Sequence, residues 1–523
     1  MAQSLRLPDI RVVPRSSTTT ALRSSEFSMA GEMTEPTQTS RRVLVLSYRF
    51  PPQGGAGVQR IVTLVKYLGR HAWQPVVHTV RNPHWPVRDE SLLREVPADV
   101  PVYRTPSIEF ERIESALSAL RPRRGDRASM SAGHERAAAD AVDLDPHVLT
   151  ERQKRLRGAG SLGRLRDAIW SRLLSPDPQI AWVPAALLRS LWIVRRRRVS
   201  AIYSNSPPNS VNVLALALKR LTGLPWVADL RDPWTDGLHR QQWYEGNPSR
   251  QAREERWERS IFERADHILV TSPRTLEGFL AKYPWCPAQK LTLVTNGFDP
   301  AAFSHTSARP RLLEPGLVHV TNVGNVEALF DAVPLFRAVH DLVSADREVR
   351  AGLRLNFVGT KRQPRYDEYI RAHGLGDVIR FHPYVPHADG LQYLAESHVL
   401  LMCQIPRPES GGVKLSAKMF EYFYLRKPVL ALTIPGVTAE MLARSGLGMV
   451  VRPDDVDAIK ALLSRLWGEV RGGGVQVAPD EEYIERFNRQ EHARVIAGIL
   501  DKVSAAAASS EAVPRRALAE SRH

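Results

Sequence analysis

The stretch RVLVLSYRFPPQGGAGVQRIVTLVKYL, residues 42–68, decides the fold. Its opening, RVLVLSY (42–48), is an apolar run that reads as a strand covered on both faces. Gly54, Gly55 and Gly57 then break the run. Beyond them Val58, Ile61, Val62, Val65 and Leu68 recur at helical spacing. A strand, a glycine-rich turn and a helix form the opening of a Rossmann-like unit. The glycines permit close backbone approach, and the helix start offers free N–H groups to an anion. The turn lacks GxGxxG, and no acidic residue closes the next strand, PVVHTV (75–80), which disfavours a dinucleotide. A tight connection with no ligand fits the same residues equally well.

The pattern continues on both sides of a break near 300–315. VSAIYS (199–204), PWVADL (225–230), HILVTS (267–272) and KLTLVTN (290–296) complete a first strand series. LVHVTNVG (317–324), LRLNFVG (353–359), VIRFHPYV (378–385), HVLLMC (398–403), PVLALT (428–433) and GMVV (448–451) make a second. Continuous apolar strands alternating with helices predict parallel sheets covered on both sides. The expected organisation is an α/β chain with two Rossmann-like domains, 41–305 and 306–480. An Arg/Ala/Ser-rich insertion at about 106–160 interrupts the first. A helix follows at 481–503, and 1–40 and 504–523 read as disordered tails.

With 523 residues and 43% hydrophobic content, the chain can bury two substantial cores. Its two cysteines, Cys286 and Cys403, lie far apart, which argues against a disulfide framework and suits a reducing compartment. The sequence shows no spanning apolar run and no signal-peptide core, so the expected location is cytoplasmic. The formal charge of +16 raises nucleic acid or an anionic membrane as partners. No nucleic-acid-binding signature accompanies it, so nucleic acid is set aside. The excess is local: residues 152–198 hold 12 Lys/Arg against 2 Asp/Glu. Leucines and tryptophans interleave with these charges and end in RRRR (195–198), as in a basic amphipathic helix lying on an anionic membrane. A helix packed on the sheet with solvated arginines reads as well, so peripheral attachment at the inner face is one of two expectations.

Candidate site residues fall after the strands, where open α/β sheets collect ligands. SNSPPNS (204–210) supplies Ser206, and ADLRDPWTD (228–236) supplies Asp229, Arg231, Asp232 and Trp234. The carboxylate–arginine–carboxylate cluster beside a tryptophan suits the orientation of a polyol. Its plain alternative is a salt-bridge network under a loop. GVKLSAKMFEYF (412–423) feeds a helix on which Lys414 and Lys418 can neutralise a phosphate. Glu421, one turn on, can accept hydrogen bonds from vicinal hydroxyls such as a ribose diol. A solvated helix face is the alternative there. Asp143 and Asp145 form a DxD, but inside the low-complexity insertion, and no metal site is expected.

Taken in order, VLVLSYRFPPQGGAGVQRIVTLVKYL, IYSNSPPNSVNVLALALKRLTGLPWVADLRDPW, VTNGFD and KMFEYFYLRKPVLAL resemble the GT-B glycosyltransferases, specifically family 4-like enzymes. The resemblance implies two Rossmann-like domains facing across a cleft, with a nucleotide sugar as substrate rather than a bound cofactor. It also implies no metal requirement and retention of anomeric configuration. The donor would lie on the C-terminal domain against Glu421, Lys418, Lys414, Gly324, Asn325, Lys361 and Tyr384. By the same resemblance, Glu421 is the second glutamate of an E-x7-E element, whose first position here is Val413. The acceptor, a glycan, lipid-linked sugar or small molecule, would meet Gly54, Gly55, Ser206, Asp229 and Trp234 on the N-terminal domain. Asp232 and Arg231 are the catalytic candidates. An inactive GT-B binding subunit and a sugar-nucleotide epimerase are the alternatives.

Overall fold

Strand β1, Arg41–Ser47, pairs in parallel with β2, Trp73–Val80, on one side and with β4, Ala201–Ser206, on the other. The computed structural model describes residues 41–83, 88–108, 174–236, 247–304, 310–326, 330–405 and 415–520, all within one compact unit, Ser40–His523. Among these residues the first half also contains β3, Val102–Thr105, β5, Trp226–Leu230, β6, His267–Val270, and β7, Leu291–Leu293. They form one parallel sheet in the order β3-β2-β1-β4-β5-β6-β7. Helix α1, Ala56–Leu68, lies on one face, and α2, Val183–Arg197, α3, Ser210–Thr222, α4, Pro248–Arg264, and α5, Pro273–Lys282, belong to the other.

The second half holds β8, Val318–Val323, β9, Leu353–Val358, β10, Ile379–His382, β11, Val399–Cys403, β12, Val429–Leu432, and β13, Gly448–Val451. Its order is β10-β9-β8-β11-β12-β13, again parallel. Helices α6, Val333–Ala345, α7, Arg347–Gly352, α8, Pro364–Ala372, α9, His387–Glu396, α10, Lys418–Leu425, α11, Val437–Arg444, α12, Val456–Arg471, and α13, Glu481–Glu485, surround it. Each sheet carries an apolar cluster on both faces. In the second half, Phe336, Val339 and Leu463 cover one side, and Leu394, Phe420 and Leu442 the other. This is the α/β arrangement of two Rossmann-like domains expected from the strand pattern, and it agrees with the GT-B fold that the resemblance implies.

The chain passes between the halves twice, and the two crossings are tied together. Phe298 donates its N–H to Phe487 O at 2.9 Å, and Arg489 returns its N–H to Phe298 O at 2.9 Å. The Arg489 side chain also donates from Nε to Gly297 O at 2.8 Å. From there helix α14, Arg489–Glu520, runs back onto the first sheet. Its Ala493, Ile496, Ala497 and Leu500 pack with Val43, Val45, Ile61 and Val65. Trp73 Nε1 donates to Asp501 Oδ1 at 2.9 Å, and Arg41 pairs with the same carboxylate. The tail expected at 504–523 is therefore a helix as far as Glu520. Residues 1–40, the insertion from residue 109 on with Asp143 and Asp145, and residues 152–173 of the basic segment lie outside the described residues, as do Lys414 and Val413. Among the described residues no helix is long and apolar enough to cross a membrane.

Candidate active site at the carboxyl ends of the two sheets

In the first half three rim loops converge on Arg231. Its Nε donates to Ser206 O at 2.9 Å, and its guanidinium lies across Gly57. A Cβ on Gly57 would stand 2.5 Å from Arg231 Nη1, so this glycine is the close approach that the turn requires. Gly54 is buried and Gly55 exposed beside it; Gly55 has open space around it and needs glycine only for its φ of +106°. Burial holds the Arg231 pKa below its usual value against the opposing pull of Asp232 and Asp229. Asp232 itself is exposed.

Three acceptor-side expectations need correction. Asp229 is fully buried, and its carboxylate is spent inside the fold. Arg60 grips it from Nε at 2.9 Å and Nη2 at 3.1 Å, and Tyr203 donates its hydroxyl at 2.6 Å. Trp234 is buried too, with its Nε1 donating to Glu254 Oε2 at 3.1 Å. Ser206 is 1% exposed; its Oγ donates to Asp229 O at 3.2 Å, and its carbonyl serves Arg231. All three side chains build the rim from beneath and do not face it. The salt-bridge alternative describes Asp229; Arg231 and Asp232 remain at the surface of the site.

In the second half the loops after β8 and β9 and the start of α10 meet. Gly324, at φ +83°, donates its N–H to Val358 O at 2.7 Å and accepts at its carbonyl from Asn322 Nδ2 and Thr360 Oγ1, each at 2.9 Å. Lys418 Nζ passes beside Gly324 and donates to Asn325 O at 2.6 Å. A Cβ on Gly324 would sit 3.0 Å from Lys418 Cε, so glycine keeps that lysine in place. Asn325 Oδ1 accepts from the N–H of Lys361 at 2.9 Å, and the Lys361 side chain is exposed. Tyr384 is 51% exposed on the loop after β10. Burial, with the charge of Asp89 from the first half, raises its phenol pKa.

Glu421 stands in the first turn of α10, about one-fifth exposed. Its Oε1 pairs with His387 Nε2 at 2.8 Å, and Oε2 has no hydrogen-bond partner among the described residues. Burial alone would lower the His387 pKa, but the hydrogen bond and charge of Glu421 outweigh it and hold it above the ordinary value. Arg489 opposes that rise, and Glu95, from the 3-10 turn Glu90–Glu95 of the first half, adds to it.

Sequence reasoning missed His387, Asn322 and Thr360. Their one signal is position, since each lies at or just beyond the carboxyl end of a strand. Among the described residues no group of His, Cys, Asp and Glu is arranged to hold a metal ion.

Residues 136–302 match the family model described as Glycosyltransferase Family 4, and residues 309–469 that described as Glycosyl transferases group 1. No curated protein matches the sequence. Among solved structures, sucrose-phosphate synthase from Thermosynechococcus elongatus aligns at 14% identity over 92% of this chain and 100% of its own, with a TM-score of 0.45. WaaG, a glycosyltransferase involved in lipopolysaccharide biosynthesis, aligns at 12% identity over 88% and 98%, TM-score 0.44. The UDP-GlcNAc 2-epimerase from Neisseria meningitidis aligns at 10% over 88% and 100%, TM-score 0.41. At these scores the three likenesses carry no weight against one another. The two family models fall on the two halves just described and together take in well over half of the chain, which belongs to the family 4-like glycosyltransferases of the GT-B class.

Proposed function

We propose that this glycosyltransferase takes its sugar from a nucleoside diphosphate held at the rim of the second half. It passes the sugar to a glycan, lipid-linked or small-molecule acceptor bound against the first half. Transfer proceeds without a metal and with retention of anomeric configuration. The observation that carries the reading is the cluster at the start of α10. Glu421, with one oxygen left over, suits a ribose diol. Lys418, Lys361 and the Gly324–Asn325 turn stand nearby for phosphates. Arg231, half-buried behind Gly57, stabilises charge developing on the leaving phosphate, and Asp232 orients the acceptor hydroxyl.

The direct test is calorimetry with UDP and GDP. Glu421→Ala should weaken the preferred nucleotide by about 1.5–3 kcal/mol, the range for a hydrogen bond to a charged group. Unchanged affinity in a folded variant would remove Glu421 from the donor site. Turnover should persist in excess EDTA; loss on chelation, restored by Mn²⁺ or Mg²⁺, would overturn the metal-free reading.

A second element of the proposal concerns location. Helix α2 exposes Leu188 at 73% and Trp192 at 45%, and these flank a surface hollow with Leu191, Arg195 and Arg196. Arg189 stacks on Trp192 at 4.2 Å. Apolar and basic groups side by side suit the interface of an anionic leaflet. This supports a cytoplasmic enzyme working at the inner membrane face on an envelope polysaccharide precursor.

A further inference from the structure

The pairing of His387 with Glu421 joins two elements that a sequence reader has no reason to connect. His387 opens α9, Glu421 lies in the first turn of α10, and the nitrogen-to-oxygen distance is 2.8 Å. Both side chains are partly open, at 31% and 20% exposure. The charged groups that act on the imidazole come from three elements. Glu421 is on α10, Arg489 begins α14, and Glu95 ends the 3-10 turn of the first half. Glu95 lies 3.7 Å from Lys66 Nζ, which Asp299 also holds at 2.9 Å.

We infer that His387 is a positioning residue of this site: it holds Glu421 by one carboxylate oxygen, leaving the other for the ligand, and its positive charge helps admit a nucleoside diphosphate. The inference rests on the proposed donor site and adds a residue and a pH dependence to it. A diphosphate brings several negative charges to a rim that already carries Glu421 and Glu95. With His387 protonated, the His387–Glu421 pair is neutral and the local field is set by Arg489 and the nearby lysines. With His387 neutral, Glu421 adds an uncompensated charge and repels the incoming phosphates. The neutral imidazole can still donate one hydrogen bond from Nε2, so the orientation survives and the charge does not. Burial opposes the charge, but the hydrogen bond and charge of Glu421 outweigh it, so the imidazolium is lost at a higher pH than that of an ordinary histidine.

The experiment is calorimetric titration of UDP and GDP against the full-length protein from pH 6 to pH 9, with wild type, His387→Gln and His387→Ala in parallel. Wild-type affinity should fall roughly tenfold across the range, the equivalent of one pKa unit of coupling. His387→Gln keeps a donor to Glu421 but no charge, so it should lack most of that fall and match the wild type only at high pH. Ionisation of the nucleotide itself is common to all three proteins and cancels in the comparison. His387→Ala should be weaker still, because Glu421 then loses its anchor. In parallel, NMR titration of the His387 imidazole should give a lower pKa in Glu421→Gln than in wild type. If the nucleotides bind and the wild-type and His387→Gln profiles superimpose, the inference fails and the donor site stands. If neither nucleotide binds any of the proteins at any pH, the donor site itself fails and takes the inference with it. An imidazole pKa unmoved by Glu421→Gln would overturn the pairing in solution whatever the nucleotide data show.

Discussion

Asp229→Ala separates a structural carboxylate from a substrate-binding one. The wild-type carboxylate accepts from Arg60 Nε at 2.9 Å, Arg60 Nη2 at 3.1 Å and Tyr203 OH at 2.6 Å. Arg60 is 7% exposed and Asp229 not at all. Truncation leaves a buried guanidinium whose remaining hydrogen bond is from Nη1 to Thr295 O at 2.6 Å. Breaking a buried pair by removing one partner costs about 3–5 kcal/mol, because the other charge is stranded. The loss should appear in urea unfolding followed by tryptophan fluorescence, since Trp73, Trp182, Trp226 and Trp234 are all buried in the first half. Arg60→Met/Asp229→Leu removes both charges and should regain most of that loss, a coupling that the double-mutant cycle reports. Nucleotide affinity in the folded fraction should not change. A loss under about 1 kcal/mol, together with collapse of transfer at saturating acceptor, would refute the buried-pair account and return Asp229 to the acceptor site.

Gly57→Ala should push Arg231 off its seat; transfer should drop roughly 10–100-fold while nucleotide affinity holds, a split read from kinetics and calorimetry. His78 and His492 are each held down to about 3, chiefly by burial, so they are neutral in the folded state and take up protons on unfolding. Their contribution is whole above pH 6.5 and lost as the pH falls toward 3; each should cost about 2 kcal/mol of stability at pH 5, visible in urea unfolding and reduced for His78 in His78→Gln. Phosphatidylglycerol vesicles at low salt should sediment the protein, and the binding should fall when Trp192, Arg195 and Arg196 become Gln, each basic residue contributing about 1 kcal/mol; no sedimentation at low salt would favour a soluble acceptor.

The strands that the sequence shows best are those buried on both faces. Val43–Leu46 and Val399–Met402 are almost fully inaccessible, and apolar runs of that kind occur only where helices cover both sides of a sheet. Strand β3 escaped because VYRT is four residues at a sheet edge, and only Thr105 of them is buried. The helix beyond residue 503 escaped for a different reason. SAAAASS looks like low-complexity tail, yet alanine is the strongest helix former, and α14 already has a packed turn from which to propagate.

The site was legible in its loops and not in its side chains. A loop after a strand lies at the carboxyl edge by topology, so the residues to consider follow from the strand pattern alone. Which of them face outward depends on partners far along the chain. Asp229 meets Arg60 across 169 positions, and Trp234 meets Glu254 across 20. Nothing in ADLRDPW distinguishes the buried aspartate from the exposed Asp232 three residues on. The same blindness hid His387, whose 34-residue separation from Glu421 closes only because α9 and α10 begin at the same edge of their sheet. A carboxylate in a rim motif is therefore half a statement. Asp229 has both carboxylate oxygens engaged by an arginine and a tyrosine, whereas Glu421 gives one oxygen to a histidine and keeps the other. The second arrangement is the one that leaves room for a ligand, and it is the chemical ground for placing the donor on the second half.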